Sequence, residues 1–123
     1  MKKLVFLLIG AEILYMGCSY MAAEQPPDNQ TNCTPRFPNQ QVTYNNYVKR
    51  IVANNCTITC HRGGDSQGTG NFTTYAGIRQ YTPDIFYFRV VQDRADMPQG
   101  NAPLPKSVRD SLDIWIKNCS PEN

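Results

Sequence analysis

The sequence predicts an all-α fold of about four short helices. Two stretches carry apolar residues at helical spacing, one from Tyr44 to Val52 and the other from Val108 to Ile116. No stretch shows the strict alternation of apolar and polar residues that is typical of a half-buried strand. With 123 residues, of which 41% are hydrophobic, the chain is long enough for one small folded domain.

Residues 1–17 have the layout of a secretion signal, with two lysines before an apolar run that is too short to span a membrane. Gly17-Cys18-Ser19 follows and resembles a lipoprotein processing site, which predicts that Cys18 carries a lipid and anchors the protein to a membrane. Ordinary cleavage near Ala22 or Ala23, which would remove Cys18, is the alternative. Both routes lead out of the cytoplasm, to the periplasm or the outer surface.

Residues 18–41 are rich in Pro, Gln and Asn and predict a flexible, lipid-anchored tether or an irregular wrap. Residues 42–123 are then the folded domain. Its first helix is expected to open at a Thr43 cap and its last to run from Pro105 to Asn118. Two short helices are expected between them, one capped by Thr73 or Thr74 and one beginning at Thr82-Pro83-Asp84.

The most distinctive chemistry lies in Cys56-Thr57-Ile58-Thr59-Cys60-His61. Two thiols on one turn can add to the two vinyl groups of a haem, and a histidine directly after the second thiol is placed to ligate the iron. The usual spacer has two residues and this one has three, so the extra residue must bulge. A disulfide between Cys56 and Cys60, or half of a Cys/His zinc site, is the alternative. The motif favours covalently bound haem.

The remaining cysteines fit this interpretation. The chain has five cysteines, and removing or lipidating Cys18 leaves four, an even number that suits an oxidising compartment. If haem takes Cys56 and Cys60, then Cys33 and Cys119 are left to form a disulfide with each other. Free or mispaired thiols are the alternative.

A second axial ligand is predicted at Met97. An electron carrier uses a second histidine or a methionine opposite the first histidine, and His61 is the only histidine of the chain. Met1, Met16 and Met21 lie in the signal or the tether, which leaves Met97 in the folded part. Five-coordinate iron, or a methionine that merely fills a gap, is the alternative.

Several further side chains are candidates for haem contacts. Arg89 or Arg94 is expected to pair with a propionate, and plain core packing is the alternative for each aromatic residue. The aromatic candidates are Tyr75, Phe86, Phe88 and Trp115. The glycine-rich stretch after His61 permits a close approach of backbone to a flat ligand. A phosphate-binding loop is disfavoured because this stretch lacks the lysine and the preceding strand.

Residues 44–118 resemble a small class I cytochrome c domain of the secreted or lipid-anchored bacterial kind. The resemblance is carried by the order of a helix, CTITCH, a glycine-rich turn, the Tyr75 segment, Met97-Pro98 and a last helix with Asp113-Ile114-Trp115-Ile116. It implies haem c bound through Cys56 and Cys60, iron ligated by His61 and Met97, and first and last helices that cross around the haem.

The expected function is therefore one-electron transfer to redox partner proteins, without a small-molecule substrate and without enzyme activity. A net charge of +2, with basic and acidic residues interspersed, disfavours a nucleic-acid partner. A haemless, disulfide-stapled structural or binding lipoprotein is the competing class. A peroxidase or gas sensor would need an open iron position.

Overall fold

The computed structural model describes residues 32–63 and 67–123, and its regular structure is helical. Over these residues there is no β-strand, only an isolated antiparallel bridge between Arg62 and Asn71. The all-α prediction is confirmed. In chain order the elements are a π-helical turn at Tyr44–Val48, α1 at Lys49–Asn55, α2 at Tyr75–Arg79, a second π-helical turn at Tyr87–Val91, and α3 at Lys106–Lys117.

Thr43 opens the first helical segment, as predicted. The Thr43 hydroxyl accepts a hydrogen bond from the backbone N–H of Asn46 (3.2 Å), while the Asn46 side chain accepts one from the backbone N–H of Thr43 (2.8 Å). This reciprocal pair satisfies two donors that a helix start leaves free. The predicted stripe then faces inward, with Val48 and Val52 buried.

The two shorter helical segments also lie near their predicted positions. The Thr74 hydroxyl caps α2 by accepting from the N–H of Gly77 (3.1 Å). Phe86 and Val90 enter the core, but Ile85 and Phe88 are 58% and 59% exposed. Of the predicted aromatic haem contacts in this segment, Phe86 is thus buried and Phe88 faces solvent.

The core gathers side chains from the first helical segment, the second π-helical turn and α3. Trp115 and Leu112 of α3 have no exposed surface. The core residues around them are Tyr44, Val48, Val52, Phe72, Ile78, Phe86, Val90, Val91, Leu104 and Ile116. Burial of these side chains is the main force that holds so short a domain together.

The chain ends are tied to each other. Cys33 and Cys119 form a disulfide, with their Cα atoms 5.7 Å apart, which confirms the predicted pairing. The backbone N–H of Phe37 donates to the Asn118 side chain (2.7 Å), which donates back to the Phe37 carbonyl (2.8 Å). Tyr44 then donates its N–H to the carbonyl of Pro121 (2.9 Å). The segment before the first helix is thus fixed to the end of α3.

The signal and the lipidation predicted at Cys18 lie outside the described residues. None of the described helices has the length and apolar character needed to cross a membrane.

Candidate cofactor site

The CTITCH segment forms a tight turn at the end of α1. Cys56 ends the helix, with its N–H bonded to the carbonyl of Val52 (2.8 Å). The N–H of His61 donates to the carbonyl of Cys56 (2.9 Å), a bond between residues five apart in the chain. This bond is one residue longer than that of an α-helical turn, which accommodates the third spacer residue. Ile58, in the middle of the spacer, is exposed.

Cys56 and Cys60 are free thiols, and both are half-buried. They are not joined in the local disulfide that was the alternative. Burial, and then repulsion from Cys60, raise the pKa of the Cys56 thiol to about 11. The Cys60 sulfur lies 3.3 Å from the Thr59 hydroxyl. The site therefore presents two free thiols on one turn, and the Cys56 thiol is protonated at neutral pH.

His61 is oriented by two neighbours that are remote from it in sequence. Its Nδ1 lies 2.8 Å from the carbonyl oxygen of Thr69, and its ring stacks on Phe72, with centroids 4.4 Å apart and planes 5° apart. Because a carbonyl only accepts, Nδ1 carries the proton, and the lone pair of the neutral imidazole is on Nε2. This is the tautomer that binds a metal through Nε2.

Gly68 permits the close contact between the glycine-rich turn and this histidine. A Cβ at position 68 would lie 2.7 Å from both the Cys60 carbonyl oxygen and the His61 Nδ1. The N–H of Gly68 donates to the Cys60 carbonyl (2.8 Å), and the N–H of Phe72 to the His61 carbonyl (2.7 Å). The turn thus folds back over the motif and holds its backbone from two sides.

Met97 is partly buried against the core, in the loop between the second π-helical turn and α3. Its N–H donates to the carbonyl of Arg89 (2.9 Å), as does that of Asp96 (3.1 Å). The Arg89 guanidinium pairs with both carboxylate oxygens of Asp96, at 2.9 and 2.6 Å. Arg89, expected to meet a propionate, therefore already has an acidic partner beside Met97.

Trp115 and Tyr75, two of the four predicted aromatic contacts, bind the C-terminal segment. Trp115 is fully buried and donates its indole N–H to the carbonyl of Pro121 (2.9 Å). The Tyr75 hydroxyl donates to the carbonyl of Ser120 (2.9 Å) and accepts from Arg79 (3.1 Å). Both side chains thus brace the C-terminal segment.

An aromatic series connects His61 to the core. Phe72 stacks on His61 and meets Phe86 edge to face at 6.2 Å, and Phe86 meets Trp115 in the same way at 6.5 Å. Sequence reasoning missed Phe72 and the Thr69 carbonyl. The only signal for either was the glycine-rich stretch, which predicted a close approach of backbone to a flat ligand. In the structure the backbone of this stretch approaches Cys60 and His61.

Within residues 32–63 and 67–123, no three His, Cys, Asp or Glu side chains are grouped as a metal site. In the comparisons with known proteins, no family model, curated protein or solved structure matches the chain.

Proposed function

We propose that this protein is an extracytoplasmic electron carrier with one haem c. Cys56 and Cys60 would hold the haem through thioethers, and His61 and Met97 would be the iron ligands. When bound, the haem supplies a one-electron couple. The observation that carries the proposal is the His61 ring, fixed by the Thr69 carbonyl with its lone pair on Nε2, directly after two free thiols.

Thr69 and Phe72 support the proposed role of His61 as an iron ligand, because they fix the protonation and the orientation of its imidazole. The Thr69 carbonyl holds the Nδ1 proton and makes the imidazole a stronger donor at Nε2. The stacked Phe72 ring restricts rotation of the imidazole. A rigid ligand shell suits electron transfer, because little has to move when the charge changes.

A cytochrome c-like bundle with crossing first and last helices is part of the same proposal. It is supported by the helical order and by a core that joins Val48 and Val52 to Leu112 and Trp115. Redox partner proteins, a lipid anchor at Cys18 and a periplasmic or outer-surface location complete it.

One observation favours a second candidate, a haemless lipoprotein stapled by Cys33 and Cys119. The core is closed by the chain's own side chains, with Trp115 fully buried. In that case Cys56, Cys60 and Met97 would have no cofactor role.

Expression with a haem c maturation system, followed by a visible spectrum of the washed protein, separates the two candidates. The proposal predicts a c-type haemochrome in the native chain and a band shifted towards single attachment in Cys56→Ala. A colourless native protein alongside a coloured control cytochrome would favour the haemless candidate.

A further inference from the structure

The loop that carries Met97 is fastened at both ends by one side chain of α3, that of Arg109. At the start of the loop, its Nη1 donates to the carbonyls of Val91 (3.0 Å) and Gln92 (2.9 Å). At the end of the loop, its Nε donates to the carbonyl of Leu104 (3.1 Å). A single guanidinium thus joins the two ends of residues 92–104 to each other and to the helix.

The Arg109 side chain that makes these hydrogen bonds is largely buried. It is only 14% exposed, and Asp93, with which it forms an ion pair at 3.3 Å, is 96% exposed. Most of the hydrogen bonds that Arg109 donates therefore go to backbone carbonyls. A lysine cannot reproduce this arrangement because it lacks the planar guanidinium group. Hydrogen bonds from a charged donor are stronger than those between neutral groups.

We infer that Arg109 is a positioning residue for Met97. It keeps the loop closed, so that the methionine sulfur stays available to iron. The claim that Met97 stays available to iron, the ligand half of this inference, rests on the proposed function. The claim that Arg109 keeps the loop closed does not. Inside the loop, the hydrogen bonds of Met97 and Asp96 are those to the Arg89 carbonyl and the exposed Arg89–Asp96 pair, beside the packing of Met97 against the core. Exposed pairs contribute little, so closure of the loop depends on its ends.

The test compares Arg109→Lys with Lys106→Ala in the full-length chain. Lys106 lies one turn earlier on α3 and pairs with Asp110 in solvent, so its removal is a matched control. Amide hydrogen exchange at Ala95, Asp96, Met97 and Asn101 reports on the loop. Ala95 and Asn101 donate to carbonyls of the loop itself, and Asp96 and Met97 donate to the Arg89 carbonyl just before it. Amides of Leu112 and Trp115 serve as the internal reference.

In Arg109→Lys the loop amides should exchange roughly tenfold faster or more, while the reference amides change much less. In haem-loaded protein the methionine-to-iron charge-transfer band should weaken, and imidazole should bind the iron faster. Lys106→Ala should change none of these. Unchanged loop exchange, or equal acceleration in α3, would overturn the inference.

Faster loop exchange with an unchanged band and unchanged imidazole binding would also overturn it. A native chain that takes up no haem would overturn the proposed function and the ligand half together. Hydrogen exchange would still decide whether Arg109 closes the loop.

Discussion

His61 owes its orientation to contacts on two sides. The Thr69 carbonyl fixes which nitrogen carries the proton, and the Phe72 ring fixes the plane of the imidazole. Neither contact requires a bound group, so the orientation of the imidazole is a property of the polypeptide itself. Such preorganisation is what a site needs if its ligand is to hold position through a change of charge.

The buried Cys56 thiol makes stability depend on pH in the alkaline range. Its folded pKa of about 11 lies above that of an ordinary thiol, so the folded state keeps a proton that the unfolded state loses. Its contribution is complete below the ordinary thiol pKa and is lost as the pH rises through about 11. We expect the free energy of unfolding of the haem-free protein to fall over this range.

Urea unfolding at several pH values checks this, with Cys56→Ala as the control. The variant should lose less stability between the two pKa values than the native chain. Parallel pH profiles of the two proteins would contradict the burial of this thiol.

At the scale of elements, the glycine-rich turn and the CTITCH turn act as one unit. In Gly68→Ala the added methyl group would collide with the Cys60 carbonyl and the His61 ring, both 2.7 Å away. We expect the turn to move off the motif, the His61–Thr69 hydrogen bond to break, and stability to fall by about 1–3 kcal/mol.

Nitrogen-15 NMR of the His61 ring gives the tautomer directly, and urea unfolding gives the stability. Thr69→Ala is the matched control, since Thr69 is exposed and the accepting group is its backbone carbonyl. An alanine at position 68 that leaves the His61 signals unchanged would show that the turn does not hold the ring.

The helices were predictable because their signals are local. The stripe from Tyr44 to Val52, the Thr43 cap and the spacing of α3 all depend on residues within a few positions of each other. The inward face of residues 85–91 was not predictable from the sequence, because apolar side chains occur on every side of that segment. Only packing against Phe72 and Trp115 selects Phe86 over Phe88.

In the candidate site, too, the local features were predictable from the sequence and the contacts made by the fold were not. The two thiols and His61 are adjacent in sequence, so their chemistry could be predicted from the motif. The carbonyl of Thr69 has no side-chain signature, and three of the four partners of Arg109 are backbone carbonyls, up to 18 residues away. Contacts of this kind depend on the fold and leave no pattern in the sequence.

At the scale of the whole molecule, the Cys33–Cys119 disulfide closes a loop of 86 residues around almost all of the described chain. In the chain-entropy model such a loop stabilises a domain by about 4–5 kcal/mol. We expect the double variant Cys33→Ala/Cys119→Ala to lose a large part of this, because the unfolded chain regains the freedom that the closed loop denies it.

Urea unfolding without reductant measures the loss, and Cys56→Ala at neutral pH controls for removal of a free thiol. Two titratable thiols from Cys33 and Cys119 in the unfolded, unreduced native protein would contradict the pairing.

Membrane attachment through Cys18 is a prediction about the part of the chain beyond the described residues. A lipid on this cysteine would bring the protein into the membrane fraction, because acyl chains supply about 0.8 kcal/mol for each buried CH₂ group. Cys18→Ala should move the protein to the soluble fraction or leave it unprocessed, without lipid label. Lipid-labelled membrane association in that variant would contradict the anchor.

The central claim is covalent haem on Cys56 and Cys60, and the denatured mass tests it most directly. After co-expression with a competent maturation system and acid-acetone extraction, the native polypeptide should carry the added mass of one haem. Cys56→Ala/Cys60→Ala, expressed in parallel, should carry none. A native chain with the mass of the bare polypeptide would contradict the claim.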